Sequence, residues 1–171
     1  TVGFVFQNPD HMIFSPTVRE ELAAGPTNLG LSEAEVAARV EEMLEQFDLR
    51  PYADQQPAVL SFGLRRKVSV AAVMAMKTAV LILDEPTSGL DQRSTDELMT
   101  VLTNLNEQGH TIILITHDMR LVADYVPRVV LLENGRLLAH DNTATLFAQT
   151  DLLHKTQLEP PQITQLAQRL G

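Results

Sequence analysis

The chain has 171 residues, of which 44% are hydrophobic, 20% charged and 5% aromatic, a balance that fits a soluble globular domain able to bury a sizeable core. The absence of Cys excludes a disulfide framework, a thiolate metal site and a Cys nucleophile. Thirteen Lys+Arg against 22 Asp+Glu give a net charge of -9, which argues against nucleic acid as a partner.

The first residue is Thr1 rather than Met, and Val2, Phe4, Val5 and Phe6 already form a core-strand pattern, so the sequence is expected to begin in mid-domain. Gln7-Asn8-Pro9-Asp10 ends that strand, because Pro9 cannot continue a ladder, and Gln7 is delivered to a loop. Ser15-Pro16, followed by Glu20 and Glu21, predicts a helix from about Pro16 to Ala24. Ser32 and Glu35 form a capping box for an amphipathic helix carrying Val36, Val40, Met43, Leu44 and Phe47, whose acidic outer face reads as solvated. Pro51 and Pro57 bracket a loop, after which Ser61 caps a third helix that runs through Arg65, Arg66 and Lys67 to Met76.

The longest apolar stretch, Val68 to Leu83, is broken by Ser69, Lys77 and Thr78 and is no membrane span. Its end, Ala79 to Leu83, has the continuous apolar pattern of a strand covered on both faces, and it stops at Asp84-Glu85-Pro86. Asp91 caps a helix bearing Leu98, Val101, Leu102 and Leu105, and Thr111 to Thr116 repeats the buried-strand pattern before His117-Asp118. Strand, helix and strand predict a right-handed parallel crossover. Arg128 to Leu132, Asn134-Gly135 and Arg136 to Ala139 predict a hairpin at an antiparallel edge of the same sheet. Short helical pieces close the chain, with Pro160-Pro161 ahead of Ile163, Leu166, Ala167 and Leu170 at helical spacing.

Ligands of parallel α/β sheets bind outside the carboxyl ends of the strands, and three strands here end in polar groups: Gln7, Asp84-Glu85 and Thr116-His117. An Asp followed by a Glu at such an end suits Mg²⁺ held near phosphates while the second carboxylate orients or deprotonates a water. The plain alternative is that both merely end a strand. A hydrolase elbow is excluded because Pro86-Thr87-Ser88-Gly89-Leu90 lacks the first Gly of G-x-S-x-G, and the five His show no i, i+4 pair for a transition metal.

The order of Leu60-Ser61-Phe62-Gly63, Leu83 to Asp91 and Ile115-Thr116-His117-Asp118 decides between these. The sequence resembles the ATPase subunit of ABC transporters, with a glutamine loop at Gln7, a signature motif at Ser61 to Leu64, a Walker B strand ending at Asp84, a D-loop at Ser88 to Asp91 and a switch histidine at His117. Phe6 to Asp10, Phe14 to Val18, Gly25 to Gly30 and the Pro160-Pro161 tail resemble the energy-coupling factor and cobalt/nickel-type subgroup. The resemblance implies an α/β fold with a mainly parallel P-loop NTPase-type core, arranged as core strand and glutamine loop (1–10), helical subdomain (11–77), core strands and helices (78–141) and helical tail (142–171). It implies that Asp84 holds Mg²⁺, that Gln7 contacts the metal or the attacking water while sensing the membrane subunit, that Glu85 is the general base or water-positioning group, and that His117 donates to the γ-phosphate of ATP. Ser61 and Gly63 would bind a nucleotide held by a second ATPase subunit, with Ser88 and Asp91 along the seam. A transmembrane coupling subunit would dock near Gln7 to Val18, at the cytoplasmic face of the membrane, with Phe14 and Val18 expected to serve coupling more than stability.

Two departures qualify the resemblance. Phe62 stands where Gly is usual, Leu64 where Gln is usual and Lys67 where Arg is usual; an aromatic at Phe62 is familiar in the cobalt-type subgroup, but Leu64 removes a hydrogen-bonding side chain near the partner's nucleotide, which also suits a degenerate, non-hydrolysing partner in a heterodimeric pair. No G-x-x-x-x-G-K-[ST] loop occurs, so the chain alone is expected to be inactive, through truncation or through natural loss of the loop.

Overall fold

The computed structural model describes residues 1–156, 158–162 and 164–166, so Ile163, Ala167 and Leu170 of the expected terminal helix lie outside the described residues. The chain divides into two compact units, Thr1–Ile115 and Thr116–Gly171.

The first unit is built on strands β1 (Val2–Val5), β2 (Val80–Asp84) and β3 (Thr111–Ile115), all parallel, with β2 in the centre. Register pairs Val5 with Leu83 and Leu83 with Leu114, so the three strands end nearly level. Between β1 and β2 the chain makes helices α1 (Val18–Asn28), α2 (Glu33–Gln46) and α3 (Phe62–Met74), and α4 (Gln92–Glu107) joins β2 to β3. Helix α1 packs on α2 and α3, while α3 lies against β1 and touches α4. The core joins Val18 and Leu22 of α1, Met43 and Leu44 of α2, and Val70 and Met74 of α3, all buried. On the sheet, Val5, Leu81 and Leu83 are buried, whereas Val2, Phe4, Ile113 and Ile115 are exposed, which follows from the period of two in a strand.

Helix starts agree with the capping residues at Ser32, Ser61 and Asp91, each of which accepts a backbone N–H from the third residue onward. The first helix differs from expectation. Thr17, not Ser15, is its N-cap and accepts from the Glu20 N–H at 3.2 Å; the Val18 N–H, which a cap at Ser15 would need, donates to the Gln55 carbonyl at 3.1 Å instead. It also continues through Gly25 and Pro26 to Asn28, since the Leu29 N–H still reaches the Gly25 carbonyl at 3.1 Å.

The second unit holds α5 (Met119–Tyr125), β4 (Arg128–Glu133), β5 (Arg136–Asn142), α6 (Thr143–Ala148) and α7 (Thr150–Lys155). Its core gathers Val122, Leu131, Leu146, Phe147 and Leu153. The hairpin β4–β5 forms around Asn134-Gly135 as expected, but it is a two-stranded sheet of its own and not an edge of the parallel sheet. Its ladder hydrogen bonds close locally within the pair. Among the described residues no helix is long and apolar enough to cross a membrane.

Candidate functional site

Level strand ends place two of the expected groups side by side. Gln7 lies two residues beyond Val5, and Glu85 two beyond Leu83, on strands paired in that register. Asp84 is the last residue of β2, and Asp84 and Glu85 are both half-buried, while Gln7 is exposed. Glu85 has φ of 43°, a left-handed conformation that costs a non-glycine residue about 1–3 kcal/mol. Its N–H donates to the Ile115 carbonyl at 2.8 Å, which fixes the backbone where β2 leaves the sheet. The continuous apolar run buries this strand, and the first carboxylates after it therefore emerge at the rim.

A second group forms at the start of α3. Ser61 is exposed, and its Oγ accepts from the Leu64 N–H at 3.3 Å. Gly63 sits close to α4: a Cβ there would come within 2.8 Å of Ser94 Oγ. Ser88 donates its N–H to the Glu85 carbonyl at 3.2 Å, and Gly89 turns the chain with φ of 78°. Asp91 accepts from the Ser94 N–H at 2.7 Å, and its hydrogen bonds with Ser94 hold its carboxyl below the usual aspartate value. Gly63 and Ser94 therefore bring α3 and α4 into direct contact. His117 is exposed, two residues past β3 in the chain, and belongs to the second unit, where the neighbouring Asp118 caps α5.

Three groups that composition alone did not single out support these loops. Arg66 is 0% exposed and donates from Nη1 to the Phe6 carbonyl at 2.7 Å and from Nη2 to the Gln7 carbonyl. Glu21 is 4% exposed. Lys67 Nζ pairs with Glu97 Oε2 at 2.7 Å and joins α3 to α4. In the sequence, Arg65-Arg66-Lys67 reads as an ordinary basic run, and only the helical turn separates the buried members from the surface.

Glu97 also receives Arg93 Nε at 3.0 Å, and the Lys67 hydrogen bond, followed by that of Arg93, holds its carboxyl below the usual value of 4.5. A lowered folded-state value means that the stabilisation is complete above the unfolded value and is lost as pH falls through the folded one. Glu97→Gln is therefore expected to lower stability near neutral pH and to make less difference as pH drops below 4.5, read by urea unfolding across that range. The effect is small because Glu97 is 43% exposed. Parallel pH profiles for variant and wild type would remove the pair from the link between α3 and α4.

The donor set fits Mg²⁺: Asp84, Glu85 and Gln7 offer only oxygen ligands to a hard cation. Among the described residues no group of three or more His, Cys, Asp or Glu forms a cage, and a magnesium ion shared with phosphates needs no such cage.

Comparison with known proteins bears on this arrangement. A family model described as ABC transporter matches residues 1–88, the span from β1 through α3 and β2 to Ser88. The chain belongs to the ABC transporter family. It is 40% identical over 169 residues to the energy-coupling factor transporter ATP-binding protein EcfA of Methanothermobacter thermautotrophicus, covering 99% of this chain and 54% of that protein. It is 42% identical over 170 residues to a putative ABC transporter ATP-binding protein of Caldanaerobacter subterraneus, covering 99% of this chain and 30% of the relative. A solved structure of cbiO1 from Clostridium perfringens, part of the ABC transporter complex cbiONQ, superposes with a TM-score of 0.81 at 36% identity over 98% of this chain and 67% of that one. The chain thus spans a third to about half the length of those two relatives. Its parallel sheet with an inserted helical segment is the ABC ATPase core expected of the family.

The expected docking stretch needs one correction. Phe14 is 76% exposed, but Val18 is 0% exposed and packed inside the helical segment, so Val18 serves the core and not a partner surface. The helix starts two residues later than its Ser-Pro signal, which turns Val18 inward.

Proposed function

We propose that this chain supplies the catalytic carboxylates, the signature helix and the coupling surface of an ATP-hydrolysing subunit that energises an energy-coupling factor type importer. Its cargo is a metal ion such as cobalt or nickel, or a vitamin. The observation that carries the proposal is the placement of Gln7 and Asp84-Glu85 at adjacent ends of β1 and β2. The naming of relatives as energy-coupling factor ATP-binding proteins supports the subgroup.

Bound Mg·ATP supplies the γ-phosphoryl group and a metal that neutralises its charge. Asp84 and Gln7 would hold the metal through oxygen atoms, and Glu85 would orient the attacking water and accept its proton. Ser61 and the N–H groups at the start of α3 bind the γ-phosphate of a nucleotide carried by a second ATPase subunit, because a helix N-terminus favours anions. Ser88 and Asp91 would line the seam, and His117 would donate a hydrogen bond to the γ-phosphate of the ATP that Asp84 and Glu85 serve, not to the partner's. A transmembrane subunit docks on the loop that presents Phe14, and the assembled protein sits at the cytoplasmic face of the membrane.

The test places this chain behind a segment bearing a G-x-x-x-x-G-K-[ST] loop, which the sequence itself does not contain. Steady Mg·ATP turnover whose specific rate rises with protein concentration is expected, since each site needs two subunits. Leu64 in place of the usual Gln favours a second reading, a nucleotide-binding partner that pairs without hydrolysing. ATP-dependent pairing with no turnover would select that reading, and neither pairing nor turnover would sink both.

A further inference from the structure

Among the described residues, Arg66 is the largest side chain with essentially no exposure. Its two terminal nitrogens donate to the Phe6 and Gln7 carbonyls, and its Nε is buried without a hydrogen-bond partner. Among the described residues no carboxylate lies within 4.0 Å of it. Burial lowers its pKa, but a guanidinium remains charged at any physiological pH. A buried charge left with two carbonyl dipoles is a costly arrangement, and a surface lysine or an apolar residue would make a cheaper helix face. Its Cζ lies 5.6 Å from the centre of the Phe62 ring, within cation–π range. Phe62 also lies against the turn at Gly89: a Cβ there would stand 3.4 Å from the ring. Gly89, Phe62, Arg66 and Gln7 therefore form a continuous line of contacts from the D-loop through the signature helix to the end of β1.

The geometry points to Arg66 as a positioning residue for Gln7, held in place by Phe62, so that the glutamine loop moves with the signature helix rather than with the sheet. It rests on the proposed role of Gln7 at the metal. The fork geometry matters, because the two carbonyls belong to consecutive residues and only a planar guanidinium spans both. Phe62, a departure from the family's usual Gly, gains a reason: a Gly there would leave the guanidinium without its aromatic face.

The experiment has two arms. The first measures amide hydrogen exchange on the chain itself for wild type, Arg66→Met, Arg66→Lys and Phe62→Leu. The reporters are the N–H groups of His11, Met12 and Ile13, which bond back to Asn8 and Pro9 in the turn that follows Gln7. Arg66→Met is expected to speed their exchange by at least about tenfold, with α2 amides unchanged; Arg66→Lys is expected to rescue little, and Phe62→Leu to fall between. Exchange that is unchanged in the turn, or equally faster in the turn and in α2, overturns the assignment. Should Arg66→Met fail to fold, Phe62→Leu and Arg66→Lys carry the same comparison. The second arm measures the Mg²⁺ dependence of turnover in the protein extended by the phosphate-loop segment, where Arg66→Lys should raise the half-activating Mg²⁺ concentration several-fold while KM for ATP stays within about twofold. Local release with an unchanged Mg²⁺ response upholds Arg66 as the anchor and overturns the metal role of Gln7.

Discussion

In the protein extended by a phosphate-loop segment, Glu85→Gln is expected to lower the turnover of Mg·ATP by about two to four orders of magnitude, the range that a positioned general base contributes. Gln is nearly isosteric with Glu and must adopt the same backbone, with φ of 43°, so the strain at this corner is unchanged. The N–H of residue 85 keeps its bond to the Ile115 carbonyl. Folding should therefore be untouched, and the loss falls on kcat, while nucleotide binding and ATP-driven pairing persist. Stopped turnover with trapped, nucleotide-bound dimers is the expected outcome, measured by phosphate release and by size-exclusion chromatography. Turnover that survives the substitution would remove Glu85 from the reaction and leave Asp84 to be tested in its place.

The second large effect concerns the loop before α1. Glu21 buries its carboxylate, which is expensive for an unpaired charge, but Oε2 accepts the Phe14 N–H at 3.0 Å and the Ser15 N–H at 2.8 Å. The carboxylate also lies in the first turn of α1, where the helix dipole favours it. Glu21→Ala leaves both donors without this acceptor and is expected to cost about 1–3 kcal/mol of stability. Glu21→Gln, which keeps one carbonyl oxygen in reach, should lose less. Urea unfolding followed by circular dichroism distinguishes them. Equal midpoints for wild type and both variants would show that the loop carrying Phe14 is shaped by something else.

Much of this arrangement was legible in the residues, for reasons that differ by element. Ser32, Ser61 and Asp91 announce their helices because a cap is local chemistry, settled within three residues. Strands β2 and β3 are legible as strands because each is an uninterrupted apolar run, but only β2 is central, and β3, expected to be covered on both faces, leaves Ile113 and Ile115 exposed. The start of α1 was not, because Ser15-Pro16 carries the signal of a cap while the acceptor that takes the Val18 N–H, the Gln55 carbonyl, lies far along the sequence. The hairpin was legible as a hairpin, since its turn is local, but its independence from the parallel sheet depends on partners that a turn sequence does not encode. At the site, Asp84 and Glu85 stand out by their position after a buried run. Arg66 did not, because composition ranks a basic triplet as surface, and its burial is decided by the distant carbonyls of Phe6 and Gln7.

The three-stranded sheet has one further consequence. With β2 in the centre, both β1 and β3 are outer strands of that sheet, and the row of side chains that includes Val2, Phe4, Ile113 and Ile115 is exposed to water. Open ladder edges beside a greasy face are the ingredients of edge-to-edge aggregation. A negative net charge opposes such association through mutual repulsion, and that protection weakens as salt screens it. Colloidal behaviour of the isolated chain is thus governed less by its folding free energy than by ionic strength, and low-salt buffers are the conditions in which its intrinsic stability can be measured.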